Sequence, residues 1–346
     1  MKKAITLSLT LMLLITLLFT GCGQNPDSQA NDTDELETIV FTEPVRGYFW
    51  APAYLAETLG YFKEAGLQAD FQTVTGADAS APVFTGDAQF GLRGIEMALT
   101  ANEAGQDCKI LISTTSKYPY QFLGASEEYS TVESLRGQII AGGLGASSGP
   151  YCFAKACLMQ AGLDTENDVS MITLKSSAFA AAMQKGELQG MVGTNPWISK
   201  KLTDLGAVVL VDGSDDAVIE DLIGSSSYEL FMVFTTDEYI QSNPETVQKV
   251  VTAMAKAIQW MNTATAEEIV ENLKPLFANM DEELLYTAQV DKERKMQNTT
   301  GYHTDSGFEA AKQLTQMAGG ISNDISADSI YDESFLDKAW EEIGES

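Results

Sequence analysis

The amino-acid sequence predicts an α/β protein with two lobes, in which each lobe is a mostly parallel sheet flanked by helices and two strands cross between the lobes. Short apolar β runs alternate with helical segments from residue 36 onward, and this alternation occurs twice in succession. Strands separated by helices of this length indicate βαβ units. The last third of the chain is mainly helical, so it must pack onto a sheet that earlier segments form. The length of 346 residues also favours more than one core.

The two series contain the same kinds of element in the same order. In the first, the predicted strands are residues 38–41, 68–74, 88–92 and 109–114, and the predicted helices are residues 53–62, 77–84 and 96–103. In the second, the predicted strands are residues 138–141, 169–174, 189–193 and 208–211, and the predicted helices are residues 151–160, 178–184 and 198–205. A further strand at 229–235 precedes predicted tail helices at residues 245–261, 267–273, 282–290 and 305–317.

The loops of the two series share their sequence as well as their position. Residues 65–67 and 161–163 are both Ala-Gly-Leu, and each triplet lies between a helix and a strand. A glycine after a helix fits a left-handed cap. A duplicated architecture accounts for this, and chance recurrence of common loop chemistry is the alternative. With crossings at 118–125 and 227–234, we expect lobe I at residues 36–122 plus 230–346, and lobe II at residues 123–229.

The N-terminus predicts export from the cytoplasm. Two lysines precede an apolar run over residues 4–19, which is too short for a permanent membrane span. The run ends at Phe-Thr-Gly-Cys, which resembles the bacterial lipoprotein signal, where Cys22 is acylated and becomes the new N-terminus. An ordinary signal peptide with an incidental cysteine is the alternative. We expect a signal peptide at 1–21, a polar tether at 22–35 and a lipid anchor on the extracytoplasmic face of a bacterial cell membrane.

Charge and composition exclude several classes of function. The chain has 21 Lys and Arg against 49 Asp and Glu, a formal charge of −28, which opposes nucleic-acid binding. Removing residues 1–21 takes away two lysines and leaves a charge of −30. His303 is the only histidine, and the spacing of Cys108, Cys152 and Cys157 supports neither a zinc site nor a disulfide between the last two. We expect no metal, no cofactor and a monomer.

Four stretches carry a family resemblance. They are residues 52–67, with Gly-Tyr-Phe-Lys-Glu-Ala-Gly-Leu at the end; residues 86–91; residues 135–141 leading into 146–149; and residues 183–189. The chain resembles the type II solute-binding proteins of ATP-driven (ABC) importers. Within them it is similar to the family that carries nitrate, sulfonate, taurine and the pyrimidine precursor of thiamine. The resemblance implies the type II periplasmic-binding-protein fold, a small-molecule solute and partner permease subunits in the membrane.

The loops at the carboxyl ends of the strands supply the candidate site, because ligands of open parallel sheets bind there. After the first strand, Tyr48 and Trp50 can stack on a planar solute, while Phe49 is expected in the core. After the third strand, Arg93 can grip an anionic group. The alternative for Arg93 is an ion pair with Glu43 or Glu96, and we include Glu96 among the candidate ligand-binding residues.

The second series offers the opposite side of the site. Ser147 and Ser148 lie in a glycine-rich stretch at a helix start, where amides and hydroxyls can bind a polar group, although capping alone explains one of them. Asn195 and Trp197 follow the strand at 189–193, and Trp197 can oppose Trp50 when the lobes close.

Aromatic side chains on both lobes favour a planar heterocycle of the thiamine-pyrimidine type over a bare oxyanion. The alternative is an organic sulfonate or a taurine-like anion held by Arg93, Ser147 and Ser148. An enzyme resembling the fungal pyrimidine synthases of this family is a further alternative. However, the chain lacks their cysteine-rich motif, a P-loop, a nucleophile elbow and a zinc-binding His-Glu-x-x-His helix, so we expect no catalysis. A structural or adhesion protein would instead expose an apolar patch and have no pocket.

Overall fold

The computed structural model describes residues 36–74, 77–143, 148–194, 196–277, 290 and 293–344. Two five-stranded sheets organise this part of the chain. The first sheet contains β1 (Glu37–Glu43), β2 (Leu67–Thr73), β3 (Phe90–Gly94), β4 (Cys108–Ser113) and β10 (Phe231–Thr236). The second contains β5 (Gln121–Gly124), β6 (Ile139–Ala141), β7 (Ser170–Ile172), β8 (Gly190–Gly193) and β9 (Val208–Asp212).

The strand orders of the two sheets correspond to each other. They are β2-β1-β3-β10-β4 and β7-β6-β8-β5-β9. In the first sheet β1 is parallel to β2 and β3, whereas β10 is antiparallel to β3 and β4. In the second, β6 is parallel to β7 and β8, whereas β5 is antiparallel to β8 and β9. Each sheet is therefore mixed, and its single antiparallel strand is the one that arrives from the other series.

Helices cover these sheets. In chain order they are α1 (Ala51–Thr58), α2 (Tyr61–Glu64), α3 (Ala81–Thr85), α4 (Ile95–Glu103), α5 (Gly149–Gln160), α6 (Phe179–Gln184), α7 (Pro196–Asp204), α8 (Asp216–Ile223), α9 (Asp237–Ser242), α10 (Pro244–Thr263), α11 (Ala266–Phe277), α12 (Asp305–Met317), α13 (Ala327–Ile330) and α14 (Ser334–Ile343). The single helix predicted at 53–62 is divided into α1 and α2. Gly60, at φ 84°, adopts a left-handed conformation between them.

Two connections join the sheets. We call residues 114–120 the first crossing segment and residues 225–230 the second crossing segment; they lead into β5 and β10 respectively. The segments are bonded to each other, since the Tyr228 amide donates to the Ser116 carbonyl at 3.0 Å. At the end of the second segment, the Thr114 amide donates to the Phe231 carbonyl at 2.8 Å. The two crossings therefore form one paired connection.

The tail helices pack mainly on the first sheet's side of the molecule. The buried face of α10 includes Val247, Val250, Val251, Met254 and Ile258, a spacing of three and four residues that forms one stripe. This helix packs against α1, α2 and α14, while α12 contacts both α4 and α5. Helices α8, α9, α13 and α14 were not predicted, and the helix predicted at 282–290 lies outside the described residues apart from residue 290.

Two further properties concern the described residues alone. Cys108, Cys152 and Cys157 are buried, and none of them forms a disulfide within the described part of the chain. None of the helices described is long and apolar enough to cross a membrane. The predicted signal peptide, the Cys22 acylation site and the tether at 22–35 lie outside the described residues.

Candidate functional site

The loop after β1 forms the aromatic side of the candidate site. Residues 48–50 make a single 3₁₀ turn that leads into α1, and Tyr48 and Trp50 are both buried. Phe49 stacks on Phe231 with ring centroids 4.3 Å apart, as expected for a core residue. The Trp50 ring meets Phe231 edge-on at 5.2 Å, and its buried indole N–H has no hydrogen-bond partner among the described residues.

Arg93 and Glu96 lie where β3 ends and α4 begins. Arg93 is the fourth residue of β3, and Glu96 is in the first turn of α4. Arg93 is only 4% exposed, its Nε lacks a hydrogen-bond partner, and no carboxylate oxygen of the described residues lies within ion-pair distance of it. Glu43 instead pairs with Arg46 at 2.8 Å. Neither of the ion pairs considered for Arg93 is therefore formed in this structure.

The Glu96 carboxyl group is fully buried, and its two oxygens differ in their hydrogen bonding. The Tyr228 hydroxyl donates to Glu96 Oε1 at 2.8 Å, whereas Oε2 has no hydrogen-bond partner among the described residues. Burial raises the pKa of Glu96 to about 7, and that rise is opposed by hydrogen bonds from its own backbone amide and from Tyr228 and by the charge of Arg93. Burial also lowers the pKa of Arg93. The site thus holds a carboxyl group with a raised pKa near a guanidinium that has no ion-pair partner among the residues that the structure describes.

Tyrosines of the crossing segments surround Glu96. The Tyr118 ring meets Tyr228 edge-on at 4.5 Å and lies 4.9 Å from the Tyr120 ring. Tyr120 in turn lies 6.3 Å from Phe231, which connects these rings to Trp50. Sequence reasoning did not identify the three tyrosines as site residues. The available signal was their position in segments that were predicted to cross between the lobes.

The start of α5 faces the same carboxyl group from the second series. A Cβ built on Gly149 would lie 3.0 Å from Glu96 Oε1 and 3.0 Å from the Tyr120 ring. Ser148 occupies the N-cap position, but its side chain makes no capping hydrogen bond. Pro150 has no N–H to offer, and the amides of residues 151 and 152 donate to the Ser148 carbonyl. This helix start therefore has fewer amides available for an anion than the sequence suggested.

Three of the predicted site positions cannot be located. Ser147 and Asn195 lie outside the described residues, and of Trp197 only the backbone, in α7, is described. Their roles remain predictions. Within the described part of the chain, no three His, Cys, Asp or Glu side chains cluster as a metal ion would require.

Comparison with known proteins gives the family. The family described as "NMT1/THI5 like" matches residues 49–267, which is more than half of the chain. The chain belongs to the NMT1/THI5-like family. A curated relative in Bacillus subtilis (strain 168), named "Putative binding protein YtlA", is 25% identical over 264 residues, covering 74% of this chain and 75% of its own.

Solved structures share the fold of this family member. The ligand-binding component of an ABC-type import system from Staphylococcus aureus has a TM-score of 0.67 at 13% identity, with 88% of this chain and 99% of that chain covered. The alkanesulfonate-binding protein SsuA from Xanthomonas axonopodis pv. citri, bound to MOPS, has a TM-score of 0.64 at 15% identity, with 86% and 99% covered. The desulfurization enzyme DSZB has a TM-score of 0.63 at 14% identity, with 89% and 100% covered. The architecture is therefore the periplasmic-binding-protein fold, which binding proteins and an enzyme both use.

Proposed function

We propose that this protein is the extracytoplasmic solute-binding component of an ABC importer, and that it captures a small planar heterocycle between its two lobes. Family membership, the relative named as a putative binding protein in Bacillus subtilis and the ligand-binding component from Staphylococcus aureus support the binding role. The lobes would be residues 36–122 plus 230–346 and residues 123–229. A lipid anchor at Cys22 would keep the protein, as a monomer, beside its permease subunits.

The observation that carries the choice of solute is Glu96 Oε2, which has no hydrogen-bond partner in the described part of the chain. A buried carboxyl oxygen needs a hydrogen-bond donor, and the nearby Arg93 guanidinium needs an acceptor. An aminopyrimidine supplies an N–H and a ring nitrogen on one edge, while its flat faces suit the rings of Trp50 and the crossing-segment tyrosines. We therefore propose a heterocycle of the thiamine-pyrimidine type.

An organic sulfonate is the second candidate, and Arg93 together with the MOPS-bound relative favours it. The guanidinium can bind a sulfonate through two hydrogen bonds. A sulfonate next to an ionised Glu96 would be repelled, so its binding would require Glu96 to be protonated. The pKa of Glu96 is raised to about 7, so sulfonate binding near neutral pH would be accompanied by uptake of a proton. The affinity for sulfonate would therefore increase as the pH falls to about one unit below that pKa.

We propose binding rather than catalysis, although DSZB shares the fold. Burial raises the pKa of Cys152 well above its ordinary value and raises the pKa of Cys108 to about 12. The thiolate is the nucleophilic form of cysteine, so neither thiol suits nucleophilic catalysis. His303 lies before α12, where its ring nitrogen is 2.8 Å from Glu333 Oε1.

A thermal-shift screen with a matched variant tests this proposal. The probes are the hydroxymethyl-aminopyrimidine precursor of thiamine, taurine and MOPS. A solute at 100-fold over its Kd stabilises the folded chain by about 2.7 kcal/mol, so the correct class raises Tm by several degrees. Glu96→Gln weakens aminopyrimidine binding by roughly 10-fold or more, because the carboxyl acceptor is altered. The same variant leaves sulfonate binding unchanged or stronger.

Two outcomes would contradict the proposal. In the first, no probe of either class raises Tm. In the second, a probe binds, but Trp50→Ala and Arg93→Ala leave its affinity unchanged, which would put the binding site elsewhere.

A further inference from the structure

The second crossing segment contains two adjacent residues whose side chains contact different parts of the molecule. The Tyr228 hydroxyl donates to Glu96 in the candidate site. Glu229, the next residue, is 1% exposed and contacts the N-terminus of α12. Side chains of an extended chain alternate in direction, so one short segment links two sides of the molecule.

The contact between Glu229 and α12 consists of several hydrogen bonds. Thr304, the N-cap residue of α12, donates to Glu229 Oε1 from its amide at 3.0 Å and from its hydroxyl at 3.1 Å. The Glu229 amide donates to the Gly307 carbonyl at 3.3 Å. A Cβ on Gly307 would lie 2.9 Å from Glu229 Oε1. The segment is therefore held against the helix by side chain and backbone together.

Helix α12 also contacts the helices that form the candidate site. It packs against α4, the helix that carries Glu96, and against α5, whose first residue Gly149 approaches the same carboxyl group. The hydrogen bonds thus run from Thr304 to Glu229, along the chain to Tyr228, and on to Glu96.

We propose that Glu229 is a positioning residue for the candidate site, because it fixes the second crossing segment to α12 and thereby holds Tyr228 against Glu96. The proposal rests on the proposed function only for its effect on solute affinity. The positioning itself concerns the solute-free chain.

Other buried polar groups lie next to Glu229. Glu229 Oε2, Ser113 Oγ and Tyr331 Oη are buried without hydrogen-bond partners among the described residues. Burial raises the pKa of Glu229 to about 7, opposed by the Thr304 hydrogen bonds and the charge of His303. The other ionisable groups next to this cluster are Glu333, paired with His303, and Asp305.

The first test needs no solute. Carboxyl-carbon NMR follows the titration of Glu96 in the full chain, with the Glu96→Gln spectrum used for assignment. Tyr228→Phe removes the hydroxyl donor and raises the pKa of Glu96. We expect Thr304→Ala to move the Glu96 titration in the same direction, by at least roughly half as much. Glu229→Gln keeps an acceptor for the Thr304 amide and leaves the Glu96 titration close to that of the wild type.

Thr315→Ala is the matched control. Thr315 lies in the same helix, and its hydroxyl bonds to the Ala311 carbonyl within that helix, so its removal should leave Glu96 unaffected. Equal Glu96 titrations in Thr304→Ala and Thr315→Ala would overturn the proposal. Ser227→Ala removes a hydroxyl 3.0 Å from Thr304 Oγ1. We expect it to raise the pKa of Glu96 as Thr304→Ala does, but by less.

The second test measures binding of the hydroxymethyl-aminopyrimidine. If Glu229 acts through Tyr228, the double variant Tyr228→Phe/Thr304→Ala loses about as much affinity as Tyr228→Phe alone, roughly 10-fold, because the effects are coupled. If the affinity losses of the two single variants multiply in the double variant, the positioning role is overturned. If the wild type binds no probe while the Glu96 titrations behave as expected, the proposed function fails and the positioning role stands.

Discussion

Two arginines near the first sheet, Arg46 and Arg93, have different surroundings. Arg46 pairs with the buried Glu43 and donates to the carbonyls of Leu276 and Phe71. Arg93 is more deeply buried, yet it has no ion pair among the described residues. Removing one partner of a buried pair strands the other charge, whereas replacing a buried charge that has no partner relieves a desolvation cost. The two arginines should therefore respond oppositely to the same substitution.

Methionine at each position tests this contrast. Arg46→Met lowers the free energy of unfolding by about 3–5 kcal/mol, because Glu43 is left buried without its cation. Arg93→Met leaves the stability of the solute-free chain unchanged or raises it, and it abolishes the increase in Tm that the aminopyrimidine causes. Urea denaturation and thermal shift measure the two effects. If Arg93→Met destabilised the chain as much as Arg46→Met does, Arg93 would be a structural residue.

The sequence predicted the position of Arg93 but not its surroundings. A residue at the end of the third strand can be located from periodicity, because strands and helices alternate regularly there. Which carboxylate faces a given arginine depends on chain segments far apart in sequence. The Glu43 carboxylate accepts hydrogen bonds from Arg46, three residues away, and from the Tyr54 and Thr73 hydroxyls. Only the folded packing reveals that Arg93 lacks such a partner.

The start of α5 is the element in which sequence and structure differ most about the site. The glycine-rich stretch predicted close approach by a solute, but the group that approaches Gly149 is the protein's own Glu96. Pro150 removes one of the amides that would bind an anion. The start of α5 thus packs closely against Glu96.

Adding one methyl group to this helix start tests its role. In Gly149→Ala the new Cβ would press on Glu96 Oε1 and the Tyr120 ring, at 3.0 Å each. Overpacking of this kind costs about 1–3 kcal/mol, so we expect aminopyrimidine affinity to fall by roughly 10- to 100-fold. Isothermal titration calorimetry gives the Kd.

Gly60→Ala is the control for a general loss of stability. Gly60 has φ 84° and nothing near its Cβ position, so alanine costs about 1–2 kcal/mol of backbone strain without touching the site. Its Kd should match the wild type. Equal Kd values for the wild type, Gly149→Ala and Gly60→Ala would mean that the start of α5 does not lie next to the solute.

The order of elements was largely predictable, whereas strand direction and some helices were not. The βαβ alternation follows from apolar periodicity and glycine caps, and every strand predicted from residue 38 to 235 is present. Periodicity does not distinguish the antiparallel β5 and β10 from their parallel neighbours, because both are short buried runs. Helix α8 was missed although Asp215 caps it, accepting from the Ala217 amide. The crossing tyrosines were missed because extended segments do not reveal which neighbour each side chain meets.

At the scale of the whole molecule, two buried carboxyl groups influence stability against a strongly acidic background. Glu96 and Glu229 are on α4 and the second crossing segment, and burial raises the pKa of each to about 7 from an ordinary 4.5. Between these two values the folded chain binds more protons than the unfolded chain. The stabilisation from protonated Glu96 and Glu229 is therefore complete below about pH 4.5 and is lost as the pH rises through 7.

We therefore expect the free energy of unfolding of the wild type to fall as the pH rises from about 5 to about 8, and urea denaturation across that range measures it. The double variant Glu96→Gln/Glu229→Gln cannot titrate at these positions, so its stability should depend on pH much less. Glu127→Gln/Glu128→Gln makes the same two substitutions at exposed positions and should keep the wild-type slope. If the two double variants had equal slopes, general acidic repulsion and His303, whose pKa is raised by its hydrogen bond to Glu333, would account for the pH dependence, and the buried carboxyl groups would not.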